Sequence, residues 1–174
     1  MNLNENHFQI FGVPARFEID LESLETRYHE LQREVHPDRF ASASQAEQRV
    51  SMQLATRVNE AYRTLKSPLR RAGYLLQLHG VDPEFETNTA MPTEFLADQM
   101  DRRERLEKAV EASDWERLIA LSSELRVEQD SLLARIQRQL EAQHWNEGAA
   151  TLRQLKFLEK FGEDIGAAEE GMDS

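Results

Sequence analysis

Cysteine is absent from all 174 positions. Its absence excludes disulfide stapling, thiolate nucleophiles and cysteine-held clusters, and points to a cytoplasmic setting. Glycine is scarce, and the seven present form neither a Walker A nor a GxGxxG pattern, so a nucleotide-binding enzyme is not expected. No apolar run approaches the roughly twenty residues of a membrane span, and the amino terminus lacks the basic and apolar blocks of a secretory signal. Positive charge is in deficit, with 21 Lys and Arg against 32 Asp and Glu and a net charge of −11. A nucleic-acid partner needs clustered cations, and none are seen. The alternation of β-branched residues that marks strands is also missing. What remains, at 40% hydrophobic and 30% charged, suits one mid-sized or two small all-α domains.

Apolar residues recur at Leu21, Leu24, Tyr28, Leu31 and Val35 in steps of three and four, one face of a helix for which Asp20 is a natural N-cap. Pro37 ends it, because its ring disfavours α geometry at His36 and it has no amide hydrogen to donate. A second amphipathic pattern runs through Ala46, Val50, Leu54, Val58, Ala61 and Leu65, with Ser44 and Glu47 placed as a capping box. Two such helices joined by about nine residues pack antiparallel and hold the joining loop out at one end. That loop carries His36-Pro37-Asp38. A stiff backbone, a carboxylate and an imidazole suit a charge-assisted hydrogen bond to a partner arginine. The plainer alternative is that Asp38 caps a helical turn while His36 packs at the helix end.

The placed tripeptide resembles that of a J-domain, the module by which co-chaperones stimulate the ATPase of a DnaK-type heat-shock chaperone. Ile10-Phe11-Gly12-Val13-Pro14 looks like the family's first helix and turn, Asn59-Glu60-Ala61-Tyr62 with Leu65 like its third helix, and Ser67-Pro68-Leu69-Arg70-Arg71-Ala72 like the segment that follows. The resemblance implies that His36, Pro37 and Asp38 contact the chaperone. J-domains commonly carry a basic face before the loop, whereas here Arg27, His29 and Arg33 are interspersed with Glu22, Glu25, Glu30 and Glu34. Electrostatic steering is therefore expected to be weak, with Arg27, Arg33 and Arg39 forming at most a short basic rim.

Residues 81–92 hold two Pro and several turn formers without a sustained period, and read as a linker. Before it, Leu69, Ala72, Leu75, Leu76 and Leu78 suggest a short fourth helix closing a first domain over residues 1–80. After it, helical patterns near 93–112, 114–143 and 146–161 predict a three-helix bundle over 93–166. Trp115, Leu118, Leu125, Leu132, Ile136 and Leu140 form the stripe of its middle helix. The acidic, Gly-rich end, residues 167–174, is expected to be disordered.

At about 100° per residue, Phe95, Leu106, Ala109 and Val110 share one side of the first bundle helix, while Leu96 and Met100 sit roughly 80 to 140° away, bordered by Asp101 and Glu104. Trp145, Ala149 and Leu152 define a stripe on the last helix, with Phe157 and Phe161 more than ~100° from its middle. These outliers form either an exposed apolar ridge with an acidic edge or the wide arc of a helix that touches two neighbours.

The second half also carries a resemblance. Phe40-Ala41-Ser42, the Gln45-Ala46-Glu47-Gln48 run, Ala72-Gly73-Tyr74-Leu75-Leu76-Gln77-Leu78-His79-Gly80, Phe95-Leu96 with Gln99, and Leu155-Lys156-Phe157-Leu158 together are similar to the HscB family of iron–sulfur cluster co-chaperones. That resemblance implies a carboxy-terminal domain that binds the cluster scaffold IscU through Leu96, Ala97, Met100, Asp101, Glu104 and Phe157, delivery of IscU to an HscA-type chaperone, and no active site, cofactor or metal of the protein's own. Ala97 is smaller than the usual residue and Met100 replaces Leu, so a retained but repacked contact is expected. A J-domain protein serving another client differs only in the second domain. A metalloenzyme built on His29, Glu30 and His36 lacks the His-Glu-x-x-His spacing.

Overall fold

The computed structural model describes residues 4–85, 87–88 and 90–172. Among them every regular element is helical and no strand occurs. The chain divides into two units, residues 1–78 and 79–174.

In the first unit, α1 (His7–Phe11) opens on a reciprocal capping box between Asn6 and Gln9 and stops at Gly12, whose φ of 67° suits a residue without a Cβ. Helix α2 (Leu21–Val35) starts at Asp20, whose carboxylate accepts from the amides of Glu22 and Ser23. Helix α3 (Gln45–Lys66) starts at the Ser44–Glu47 capping box, and α4 (Pro68–Leu78) follows after one residue. The pairing runs backwards along the chain. Tyr28 stacks on Tyr62 at 3.9 Å and donates to Asn59 at 2.9 Å, while Val35 meets Ser51. Helices α2 and α3 therefore form an antiparallel hairpin, and Phe8, Leu24, Leu31, Val58, Ala61, Leu65 and Leu76 close its core. Arg71 is buried there and donates to the carbonyls of Phe17 and Leu65 at 2.7 and 2.5 Å. Burial lowers its pKa.

Four residues of the expected stripes, Leu21, Ala46, Val50 and Leu78, face solvent instead. Leu21 is 48% exposed; it is the first residue of α2, with no preceding turn to cover it. Val50 is 44% exposed and Ser51 is buried in its stead. Steps of four overshoot a turn by about 40° each, so the Ala46–Val50–Leu54 series drifts off the face that Val58 occupies, while Ser51 stays on it.

The second unit is a three-helix bundle of α5 (Thr93–Glu111), α6 (Trp115–Glu141) and α7 (Trp145–Met172). Arg102 pairs with Glu128 and Arg105 with Glu124, so α5 and α6 are antiparallel; Phe95 meets Phe157 and Arg103 meets Asp164, so α5 and α7 are parallel. Both connections are the same tight turn, with Ser113 and Gln143 at φ of 51° and 60°. In each, the next amide reaches back to close the turn: Asp114 N–H to Ala109 O and His144 N–H to Gln139 O, both at 2.8 Å. A Cβ at Gly148 would stand 2.9 Å from a Leu140 methyl, so glycine permits the close approach of α7 to the end of α6. Pro83, ahead of the bundle, accepts from Arg153 on α7 at 3.1 Å.

Several expectations for this unit are corrected. Val110 and Trp115 are 40% and 38% exposed, because they flank the α5–α6 turn, where side chains spread into solvent. The α5 core stripe is Phe95, Gln99, Arg102, Leu106 and Ala109, spaced four, three, four and three; its two polar members hid it. Of the two readings open for Phe161, the wide arc holds: it is 1% exposed and belongs to the core. Ala149, Leu152, Leu155, Leu158 and Phe161 advance in threes, falling short of a turn by about 60° each, so the buried face winds around this long helix. The acidic segment expected to be disordered is helical through Met172. Ile165, 2% exposed, anchors the turns just before it. Glu86 and Thr89 of the expected linker, and residues 173 and 174, lie outside the described residues.

Candidate functional site

The loop between α2 and α3 is built by polar contacts. Helix α2 ends at Val35, and His36 leaves helical geometry at φ −60°, ψ 129°, as a residue before proline does. Pro37–Phe40 then form a single 3-10 turn without a buried residue. The His36 Nδ1 accepts from the Asp38 amide at 3.3 Å. It is thus His36, not Asp38, that caps the turn. The Asp38 carboxylate stands 3.6 Å from that imidazole and is 91% exposed. Arg39 turns back to donate to the carbonyls of Arg33 and Glu34 at 3.3 and 3.5 Å, satisfying the open end of α2.

The three arginines near the loop differ. Arg27 is engaged by Glu30 at 3.0 Å and Glu34 at 3.5 Å. Arg33 donates to the His29 carbonyl at 3.2 Å. Arg33 and Arg39 thus hold carbonyls rather than carboxylates, so no paired acid offsets their charge there. A groove of about 870 Å³ beside the loop is lined by residues including His29, Arg33, His36 and Arg39, with Val35 and Ala55, and by no Asp or Glu. This local excess of positive charge runs against the net −11 of the chain. Among the described residues no group of three His, Asp or Glu is placed to hold a metal ion, and no helix is long and apolar enough to cross a membrane.

On the second unit, Leu96 and Met100 lie one turn apart on α5, 42% and 73% exposed. Ala97, Asp101 and Glu104 continue the exposed surface around the same helix. The two acids have cations beside them: Arg105 is 3.7 Å from Asp101, and Lys108 is 2.5 Å from Glu104. The Lys108 hydrogen bond lowers the Glu104 pKa. Phe157 on α7 is half-buried, edge-on to Phe95 at 5.9 Å between centroids. Five of the six residues expected to meet the scaffold are therefore exposed on one helix, and the sixth is partly committed to packing.

Two residues shape the loop in ways the sequence did not indicate: Ser51 belongs to no expected stripe or motif, and Gln48 only to the Gln45–Gln48 run. Ser51 is 2% exposed and donates to the Val35 carbonyl at 2.8 Å, and Gln48 donates to the carbonyls of Ala41 and Ala43 at 3.2 and 3.1 Å. Counting back from Val58 by four and three, rather than by fours, would have placed Ser51 on the buried face.

Residues 91–166 match the family model described as the HSCB C-terminal oligomerisation domain. A protein described as a co-chaperone protein HscB homolog from Burkholderia mallei is 46% identical over 99% of both chains. One of the same description from Burkholderia multivorans is 44% identical over 100% of this chain and 99% of its own. Among solved structures, the chaperone HscB from Vibrio cholerae is similar with a TM-score of 0.87 at 37% identity, covering 97% of this chain and 99% of that one. Human co-chaperone protein HscB gives 0.90 at 30% identity, covering 97% and 84%. Identity at this level along nearly the whole length, in a fold of J-type hairpin and three-helix bundle, shows that this chain belongs to the HscB family of co-chaperones.

Proposed function

We propose that the protein acts in iron–sulfur cluster assembly, stimulating the ATPase of a DnaK/HscA-type chaperone with its first unit and delivering the scaffold IscU to it with its second. The observation that carries this reading is the Asp38 carboxylate, 91% exposed at the tip of a hairpin. An exposed carboxylate on a proline-stiffened turn is ready for a charge-assisted hydrogen bond to a chaperone arginine, with little desolvation or ordering to offset. Arg33 and Arg39 beside the groove add short-range attraction to an acidic surface, while the pairing of Arg27 with Glu30 and Glu34 keeps long-range steering weak.

On α5, Leu96 and Met100 offer an apolar ridge to the scaffold. Completing the burial of two such side chains contributes on the order of 1–3 kcal/mol. Met100, unbranched and polarizable, adapts to a pocket shaped for a different side chain. Catalysis stays on the chaperone, and this protein supplies two docking surfaces.

The deciding experiment is ATP turnover by a purified HscA-type chaperone with this protein and IscU added separately and together. Stimulation by each, and more than additive stimulation by both, is expected. His36→Gln and Asp38→Asn should abolish this protein's stimulation while leaving its helical circular dichroism unchanged. Purely additive rates would overturn delivery, and full stimulation by the Asp38→Asn variant would overturn the docking role of the loop.

A further inference from the structure

We propose that Gln48 and Ser51, in the first turns of α3, are positioning residues for the His36–Asp38 loop: they fix the geometry in which Asp38 is presented to a chaperone. This rests on the reading of the loop as a docking element. Residues 36–44 contain no buried side chain, only Phe40 and Ala43 being half-covered. Hydrophobic packing therefore does little to hold the loop, and polar tethers must.

Two tethers reach it from α3. At its near end the Ser51 Oγ holds the Val35 carbonyl at 2.8 Å from a site closed to water. At its far end the Gln48 amide spans the carbonyls of Ala41 and Ala43, at 3.2 and 3.1 Å. Between these anchors the turn closes on itself, with the amides of Arg39, Ala41 and Ala43 donating to His36, Asp38 and Phe40. The internal bonds shape the turn, and the tethers register it against the hairpin. Without the far tether the loop keeps its chemistry but samples more orientations, and a partner that docks it must bear the ordering cost. The loss should fall on affinity rather than on the rate once bound.

The test uses the full chain with Gln48→Met, similar in length but without a donor, and Gln48→Lys, which keeps one; Ser51→Ala probes the near anchor. Two readouts are taken: hydrogen exchange at the Arg39, Ala41 and Ala43 amides, and the concentration giving half-maximal stimulation of single-turnover ATP hydrolysis by an HscA-type chaperone. For Gln48→Met, exchange at these amides should rise several-fold and the half-maximal concentration about five- to tenfold, the lower end of what two lost hydrogen bonds contribute. Maximal stimulation and melting temperature should hold, and Gln48→Lys should recover both readouts. Unchanged exchange would overturn the tether, and faster exchange with an unchanged half-maximal concentration would overturn its positioning role. A Lys variant as impaired as the Met variant would assign the effect to shape and overturn the donor argument. If the unaltered protein stimulates no chaperone, the docking reading fails instead, and exchange alone still decides whether Gln48 holds the loop.

Discussion

Phe157 meets Phe95 edge-on, with ring centroids 5.9 Å apart and planes at 77°. One half-buried α7 side chain therefore braces α5 at Phe95, the residue next to Leu96. Phe157→Ala should destabilise the second unit by about 1–3 kcal/mol, through lost packing and the aromatic pair. Met100→Ala, at a position 73% exposed, should change stability by less than about 0.5 kcal/mol. Urea denaturation separates the two, and calorimetric titration with IscU should show weaker binding for Leu96→Ala, Met100→Ala and Phe157→Ala alike. Undiminished affinity in the Leu96 and Met100 variants would remove the ridge from the proposed scaffold surface.

Arg102 and Glu128 form an ion pair between α5 and α6, with side chains only 14% and 25% exposed. Removing one partner strands a poorly solvated charge, so Arg102→Leu alone should cost about 2–4 kcal/mol. Replacing both, Arg102→Leu with Glu128→Leu, should restore most of that or exceed the original stability, since the apolar pair continues the core. A double-mutant cycle by chemical denaturation measures this coupling; additive losses would show the pair to be solvated in solution.

Gln143 closes the α6–α7 turn at a φ of 60°, a conformation that costs an L-residue with a Cβ about 1–2 kcal/mol. Gln143→Gly relieves that strain but loosens the unfolded chain, for an expected net stabilisation of about 0.5–1 kcal/mol. A rise in melting temperature checks it, and a fall would mean that the Gln143 side chain contributes more than its backbone costs.

His7 is 7% exposed, stacked on Tyr74 at 4.2 Å. Its pKa is lowered from 6.5 by burial first, with Glu60 opposing and Arg57 assisting. Below about 6.5 the unfolded chain takes up a proton that the folded unit resists, so folding is disfavoured there. The contribution of neutral His7 is full above the unfolded value and is lost as pH falls through the lowered folded value. Denaturation midpoints from pH 7.5 down to 5 should fall for the parent protein and fall less for His7→Gln; parallel slopes would place the titration elsewhere.

The local signals were legible because caps and prolines act over a few residues. Asp20, the Ser44–Glu47 box and Pro37 set the ends of α2 and the start of α3, and hence the span of the exposed loop, through backbone bonds that need no distant partner. The family pattern was legible for the same reason, being written in contiguous motifs. Averaged periodicity failed where helices are long or their core stripes polar. Phe161 joined the core because the buried face winds around α7, and Gln99 and Arg102 hid the stripe of α5.

The order of the helices, their boundaries apart from the end of α7, and the placement of His36-Pro37-Asp38 were determined by the sequence alone, since each follows from hydrogen-bond supply and steric limits within one or two turns. Which side chains hold the loop, how Phe157 divides itself between core and surface, and why the acidic end stays helical were decided only by tertiary structure. Ser51 lies sixteen positions from Val35, and Arg103 reaches Asp164 across helices. Such contacts depend on the phase in which whole helices meet, and no local window records that phase.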